Sequence, residues 1–187
     1  MGNNSLTTEL REKVCKTCLS KFMPARPMQS VCSPICARKK VKADKKAERE
    51  KFKRRKEAIK TIPDLLKEAQ AAFNAFVRGR DKDHPCISCG KPPGSMTELH
   101  AGRDAGHYRS VGSASHLRFH EDNCHAQCVK CNQWKAGNAV DYRIRLIERI
   151  GLEKVEALET ENNPHKWTRE ELIEIKALYK RKLLELT

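Results

Sequence analysis

Eight of the nine cysteines in this 187-residue chain fall into two sets of four, and that arrangement limits what the chain can fold into more than any other feature. The first set is Cys15-Lys16-Thr17-Cys18 followed by Cys32-Ser33-Pro34-Ile35-Cys36, a C-x2-C and C-x3-C array within 22 residues. The second is Cys86-Ile87-Ser88-Cys89 followed, after 38 residues, by Cys128-Val129-Lys130-Cys131. Four thiolates spaced this way close a tetrahedral zinc site, and the metal then clamps segments too short and polar to be held by apolar burial. No charged stretch followed by an apolar one is read in Met1-Gly2-Asn3-Asn4-Ser5, so a cytoplasmic chain is expected. In a reducing cytosol such cysteines are metal ligands rather than disulfides. Cys124 is left over. Cys124 and His125 are alternative ligands, since Cys124-x3-Cys128 is also a workable spacing, but Cys128 and Cys131 mirror Cys86 and Cys89 and are preferred.

The rest of the composition agrees with small, metal-stapled modules. Only 39% of residues are hydrophobic and 5% aromatic, against 33% charged, so one large apolar core is not expected and two small domains are. Lys and Arg number 38 against 24 acidic residues, a formal charge of +14. That excess favours a polyanion, because each Lys or Arg that neutralises a phosphate releases a condensed counterion. A basic protein that is merely soluble or ribosome-associated is the competing reading. A membrane partner is not expected: no long apolar stretch occurs, and the most basic segment lacks a continuous apolar face.

That basic segment, Ala37 to Lys60, holds 13 Lys and Arg against four acidic residues and no Gly or Pro, which predicts a long exposed helix. Lys39, Lys40, Lys53, Arg54 and Arg55 are its candidate phosphate contacts, and a solvated spacer is the alternative. Thr61-Ile62-Pro63-Asp64 ends the helix and starts another, whose Leu65, Leu66, Ala69, Ala72, Phe73, Phe76 and Val77 recur at three- and four-residue steps as a buried stripe. A strand within Leu99 to Tyr108 and a second over His116 to His120 predict a hairpin, with helix resuming around Cys131. Three helical segments follow: Tyr142 to Ile150, Leu152 to Leu158, and one opened by the capping box Thr168-Arg169-Glu170-Glu171. The expected architecture is a small α+β chain: a zinc-binding module over 1–36, a basic helical linker over 37–62, and a zinc-stapled ββα domain with C-terminal helices over 63–187.

Within the ββα segment, residues suited to phosphodiester chemistry gather. Such hydrolysis needs a base for water and a hard cation to stabilise charge on the phosphate oxygens. His107 suits the base, as an imidazole titrates near neutrality. Asn132 offers an oxygen to Mg2+ or Mn2+ beside the zinc knuckle, and Asp104 is the nearest carboxylate. Asn123 suits a hydrogen bond to the loop that carries His107. Arg109, Arg118, Lys130 and Lys135 flank these groups as candidate DNA contacts, with simple surface charge as the alternative for some of them.

At these residues the chain resembles the HNH, or His-Me finger, nucleases, with one C-x2-C, then His107, Asn123, and a second C-x2-C followed by Asn132. It is especially similar to phage recombination endonuclease VII, in which an asparagine directly after the last zinc cysteine binds the catalytic metal. The segments HPCISCG, DAGHYRS, LRFHEDN, QCVKCNQWKAGN, YRIRLIERIG and HKWT, with the N-terminal cysteines and basic helix, look like the lambdoid phage NinG/Rap family. The resemblance implies a ββα-metal core and a structure-selective endonuclease acting on Holliday junctions and other branched DNA in the cytosol of a bacterial host. Paired cuts would suit a homodimer. A non-catalytic zinc protein that binds branched DNA or recruits a partner, and a general HNH nickase, are the alternatives. The family pattern commonly has aspartate immediately before the catalytic histidine, whereas Gly106 stands there here.

Overall fold

The computed structural model describes residues 11–94 and 102–186 and divides into two compact units, residues 1–60 and 61–187. In the first unit a two-residue antiparallel ladder, β1 (Lys13–Val14) with β2 (Lys21–Phe22), carries the first cysteine pair in its turn. Helix α1 (Pro34–Ala58) begins inside the second pair. Ser33 caps it by accepting the Cys36 amide, Pro34 sits where the missing N–H costs nothing, and Cys36 is the helix's one buried residue. The zinc module and basic helix thus share an element, and α1 is otherwise a solvated rod.

In the second unit α2 (Ile62–Arg80) starts at a reciprocal capping box between Thr61 and Asp64, and α5 (Arg169–Glu185) starts at one between Thr168 and Glu171. The two helices pack together: Leu65, Ala69, Phe73, Phe76 and Val77 bury against Leu172 and Tyr179, with Phe119 and Cys124 from the hairpin segment. The Tyr179 ring lies 4.7 Å from that of Phe73, nearly edge-on. A second core joins Ile87, Ala114 and Leu117 to Tyr142 and Leu146 of α3 (Ala139–Ile150) and to Val155 and Leu158 of α4 (Leu152–Thr160). Gly151, with φ +89°, breaks the chain between those helices. Among the described residues no helix is long and apolar enough to cross a membrane.

Between the two cores runs an antiparallel hairpin, β3 (Arg103–His107) with β4 (Cys124–Cys128), in a register that pairs His107 with Cys124 and Arg103 with Cys128. This corrects the expected strands in two places. Residues 116–120 form no strand: single 3-10 turns occupy Ser115–Leu117 and Glu121–Asn123, because Leu117 and Phe119 bury into different cores instead of lining one sheet face. The true partner, Cys-His-Ala-Gln-Cys, is buried at all five positions and shows no alternation to read. Residues 99–101 of the expected first strand lie outside the described residues. Nor does an α-helix follow the hairpin. Lys130–Trp134 makes one π-type turn, then Ala136, Gly137 and Asn138 all take positive φ before α3 begins. The result is a small α+β fold with two four-cysteine clusters.

Candidate functional site

Both cysteine clusters are built by the same local device. In the first, the residue after the knuckle, Leu19, turns left-handed with φ +61° and donates its amide to the Cys15 carbonyl at 2.9 Å. The Cys15 amide bonds Ser20, and the Cys32 amide points at Cys15 Sγ from 3.4 Å. In the second, Gly90 with φ +70° donates to Cys86, the Cys86 amide bonds Lys91, and the Cys128 amide points at Cys86 Sγ from 3.3 Å. Amides aimed at sulfur favour the thiolate. Sulfur separations of 3.5 Å (Cys18 to Cys32), 3.6 Å (Cys32 to Cys36) and 3.8 Å (Cys89 to Cys128) lie at or just below the roughly 3.8 Å that a tetrahedron with Zn–S of about 2.3 Å requires. The crowded thiols share protons unevenly. In Cys89, burial is outweighed by the Lys91 amide and neighbouring thiols, which bring it down to about 7, while burial and the other thiols push Cys131 up to about 12. A divalent cation would discharge that conflict. Cys15, Cys18, Cys32 and Cys36 could hold one ion, and Cys86, Cys89, Cys128 and Cys131 another.

Cys124 and His125 belong to neither set. His125 is buried against Tyr142 Oη, 3.3 Å from its Nδ1, and burial foremost pushes the imidazole down to about 3. It is a neutral packing residue.

The second cluster anchors the base of the hairpin, and at the hairpin's other end sits His107. Its Nε2 lies 2.9 Å from the Arg118 carbonyl. A carbonyl only accepts, so Nε2 carries the proton and Nδ1 keeps a lone pair. Cys124 Sγ lies 3.8 Å from Nδ1, a thiol that burial raises and so keeps protonated. Phe73 of α2 packs on the imidazole with ring centres 6.1 Å apart. Burial lowers the His107 pKa from 6.5, the Arg118 carbonyl opposes that, and the Arg118 charge adds to it.

Asn123, fully buried, ties down the 108–123 loop. Its Oδ1 accepts the Arg109 amide at 2.9 Å, and its Nδ2 donates to the carbonyls of Arg109 and Leu117. All its short-range capacity is spent on the segment that starts beside His107 and ends beside Arg118. This is the loop contact its position suggested.

Asp104 and Asn132 meet: Asn132 Nδ2 donates to Asp104 Oδ2 at 2.9 Å, and Gln133 Nε2 donates to the same oxygen at 2.8 Å. Among the described residues, no hydrogen bond or ion pair joins this pair to His107. Along a pleated strand, residues three apart point to opposite faces and lie about 10 Å apart. His107 and Ala105 face α2, while Gly106 faces α3, where Tyr142 Oη donates to its carbonyl. Gly106 cannot carry a side chain: a Cβ there would sit 2.1 Å from the buried Gln127 Oε1. A longer side chain immediately before His107 would therefore force the buried Gln127 to move. Gly106→Ala should cost about 1–3 kcal/mol by overpacking, read as a lower urea midpoint with unchanged slope.

The flanking cations divide. Arg109 is committed to the fold, donating to the carbonyls of Leu158, Glu159 and Glu161 and to Asn162 at the end of α4. Arg118 reaches Gln70 of α2 at 3.1 Å, yet its buried Nε has no partner. Lys130 and Lys135 are exposed and line a shallow cavity with Lys91 beside the second cysteine cluster. Lys39, Lys53, Arg54 and Arg55 are exposed on α1, while Lys40 pairs with Asp44.

One basic residue at the hairpin escaped the sequence reading. Gln70, Asn74 and Arg78 follow at four-residue steps beside the apolar stripe of α2 and form a half-buried polar row. Burial lowers the Arg78 guanidinium, and the nearby Asp104 and Cys124 partly restore it. Arg78 thus senses both Asp104 and the surroundings of His107. The signal was readable, as a polar i, i+4, i+8 row on an otherwise core-facing helix.

Comparison with known proteins places this arrangement. The family model described as Bacteriophage Lambda NinG protein matches residues 7–187. Protein ninG of Escherichia phage lambda is 46% identical over 193 aligned positions, and that of Salmonella phage P22 is 45% identical over 193. Protein ninG of Escherichia phage 933W is 44% identical over 191, and each alignment spans 92% of both chains. No solved structure gives a significant match. A match that runs through both cysteine clusters, the basic helix, the hairpin and the C-terminal helices makes this chain a member of the NinG family of lambdoid phage proteins.

Proposed function

We propose that this protein is a metal-dependent endonuclease that hydrolyses phosphodiester bonds in branched DNA, Holliday junctions included, during phage recombination. What favours hydrolysis over passive binding is the state of His107: its Nε2 proton is fixed on the Arg118 carbonyl and burial favours the neutral ring, which leaves Nδ1, with only the weak Cys124 thiol donor beside it, as the basic nitrogen at neutral pH. Asn123 holds the Arg109 backbone and the Leu117 carbonyl next to Arg118 in place, and with them the tilt of the imidazole. Asp104 and Asn132 supply a carboxylate and a carboxamide oxygen, a donor set suited to Mg2+ or Mn2+ with water and phosphate completing the shell. Such an ion would neutralise charge on phosphate oxygens, and because Asp104 and His107 lie on opposite faces of β3 about 10 Å apart, the phosphodiester would have to pass over the edge of the strand to meet both. Arg78 and Arg118 add fixed positive charge on the α2 side. The zinc clusters are structural, α1 and the lysines at 130 and 135 hold the DNA backbone, and a homodimer would present two centres for paired cuts.

The test is cleavage of a four-way junction with Mg2+ by wild type and by His107→Ala. Wild type should cut, and the variant should be slower on the order of 10²-fold while still binding. Undiminished cleavage by the variant removes His107 from the chemistry. Junction binding with no cleavage under any divalent ion points to a passive binder, and equal cutting of linear duplex points to a general nickase. In the wild type, the rate should fall as pH drops, with a midpoint below the 6.5 of an ordinary histidine, because the neutral imidazole is the active form.

A further inference from the structure

Trp134 is the most conspicuous residue that the proposed chemistry leaves idle. It is 81% exposed, and among the described residues its indole makes no hydrogen bond, ring contact or cation contact. The chain's other tryptophan shows what the fold does with one it needs: Trp167 packs edge-on against Phe119 at 4.9 Å and donates Nε1 to the Ser115 carbonyl. An indole left in water forgoes a large apolar burial, and its open face is available for stacking.

The backbone holds Trp134 in a defined position. It ends the π turn that begins at Lys130, three residues after Cys131, whose carbonyl accepts the Gly137 amide at 3.0 Å. Asn132 and Gln133 just before it are tied to Asp104, and the Gly137 carbonyl just after it accepts from Ser88 and Gln127. Three successive residues of positive φ, Ala136 to Asn138, turn the chain away sharply beyond it. The indole therefore stands on a rigid pedestal.

Its neighbours select the partner. Lys130 and Lys135 flank it in sequence, both exposed, on a chain of net charge +14. An exposed flat ring with Lys130 and Lys135 close by in sequence fits a nucleobase whose phosphates lie to either side. In paired duplex the base faces are stacked on one another and closed to it. Bases at a branch point or in a single strand are open.

We infer that Trp134 is a stacking platform for an unpaired base at the DNA branch, and that it supplies part of the preference for branched over linear DNA. This rests on reading the chain as a branched-DNA protein but not on its cutting activity, so the test uses binding alone, in zinc-retaining buffer without Mg2+ or chelator. Full-length wild type, Trp134→Ala and Trp134→Phe are titrated with a four-way junction carrying unpaired bases at its centre and with a linear duplex of the same length. Trp134→Ala should raise the junction Kd about 5- to 150-fold, as expected for losing one stacked base, and the duplex Kd less than about 2-fold. Trp134→Phe should keep most of the affinity. The tryptophan emission of wild type should be quenched by the junction, and that of Trp134→Phe should not. Equal loss on both DNAs, or no loss on the junction, overturns the inference. So does an indole already shielded without DNA in a manner that depends on protein concentration, which would make a second copy of the chain its partner. Cleavage by His107→Ala decides the nuclease reading separately.

Discussion

Cys131→Ser should release one of two zinc ions per chain and unfold the second unit, leaving the N-terminal cluster loaded. Cys86, Cys128 and Cys131 are buried together at the base of the hairpin, where little apolar surface surrounds them. Structural zinc contributes on the order of 10 kcal/mol to folding, comparable with the whole stability of a domain this size. Without it, four crowded thiols with amides aimed at their sulfurs stand at the cysteine end of the five-residue ladder of β3 and β4 with nothing to hold them together. The hairpin is the link between the two apolar cores of the unit, so its release leaves each core too small to persist. Elemental analysis and thermal melting followed by circular dichroism check this. Cys124→Ala is the control: its sulfur lies outside both clusters, so two zinc ions should remain. Retention of both ions by Cys131→Ser, with an unchanged melting profile, would show that the cluster does not bind zinc as described.

Asp81→Ala should cost about 3–5 kcal/mol, a loss that comes from orphaned charge rather than lost packing. The Asp81 side chain is fully buried at the end of α2. It accepts two bonds from Arg80, one from Arg149 of α3 at 2.7 Å, and the Ala126 amide of β4 at 2.9 Å. Burial alone would raise this carboxyl, yet the two guanidiniums and the amide outweigh it and hold it below its ordinary value. Arg80 also donates to the carbonyls of Glu121 and Cys124, so one ion-pair cluster joins α2, α3 and the strand beside His107. Removing the carboxylate leaves two half-buried cations without their shared partner. Urea unfolding monitors the loss, and Asp81→Asn, which keeps the hydrogen-bonding shape but not the charge, separates the two contributions. A fall below about 1 kcal/mol in both variants would show the cluster to be solvated rather than buried. Because the folded carboxyl is depressed, its stabilisation is present at neutral pH and disappears as pH falls through the folded value.

Several features could be read from residue order because their physics is local. The apolar stripe of α2 is a matter of helical period, and every residue in it is buried apart from the half-buried Leu66. Both capping boxes are three-residue motifs and formed as written. Each cysteine knuckle rests on local geometry that five residues suffice to build. What failed was non-local. β4 looks featureless because two different cores bury its two faces. The segment 116–120 imitates a strand because it feeds the same two cores from a turn.

The candidate site divides along the same line. The choice of His107, Asn123, Asp104 and Asn132 came from spacing and chemical type, which sequence carries in full. Their tautomers, partners and faces came from the fold: the Arg118 carbonyl that fixes the imidazole proton, the Leu117 and Arg109 backbones that absorb Asn123, and the pleat that sets Asp104 apart from His107. Arg109 shows the limit most plainly, since nothing in its neighbourhood of sequence announces the carbonyls of α4, some fifty residues on, that claim its guanidinium. Cysteine knuckles, helix faces and caps were determined by order alone because they depend on neighbours within a few residues, whereas the closing of two knuckles into one cluster across 38 residues needed the hairpin. Strand pairing, buried charge and the orientation of each polar group were decided only by tertiary structure, because they depend on which distant backbone groups the packed cores bring within hydrogen-bond reach.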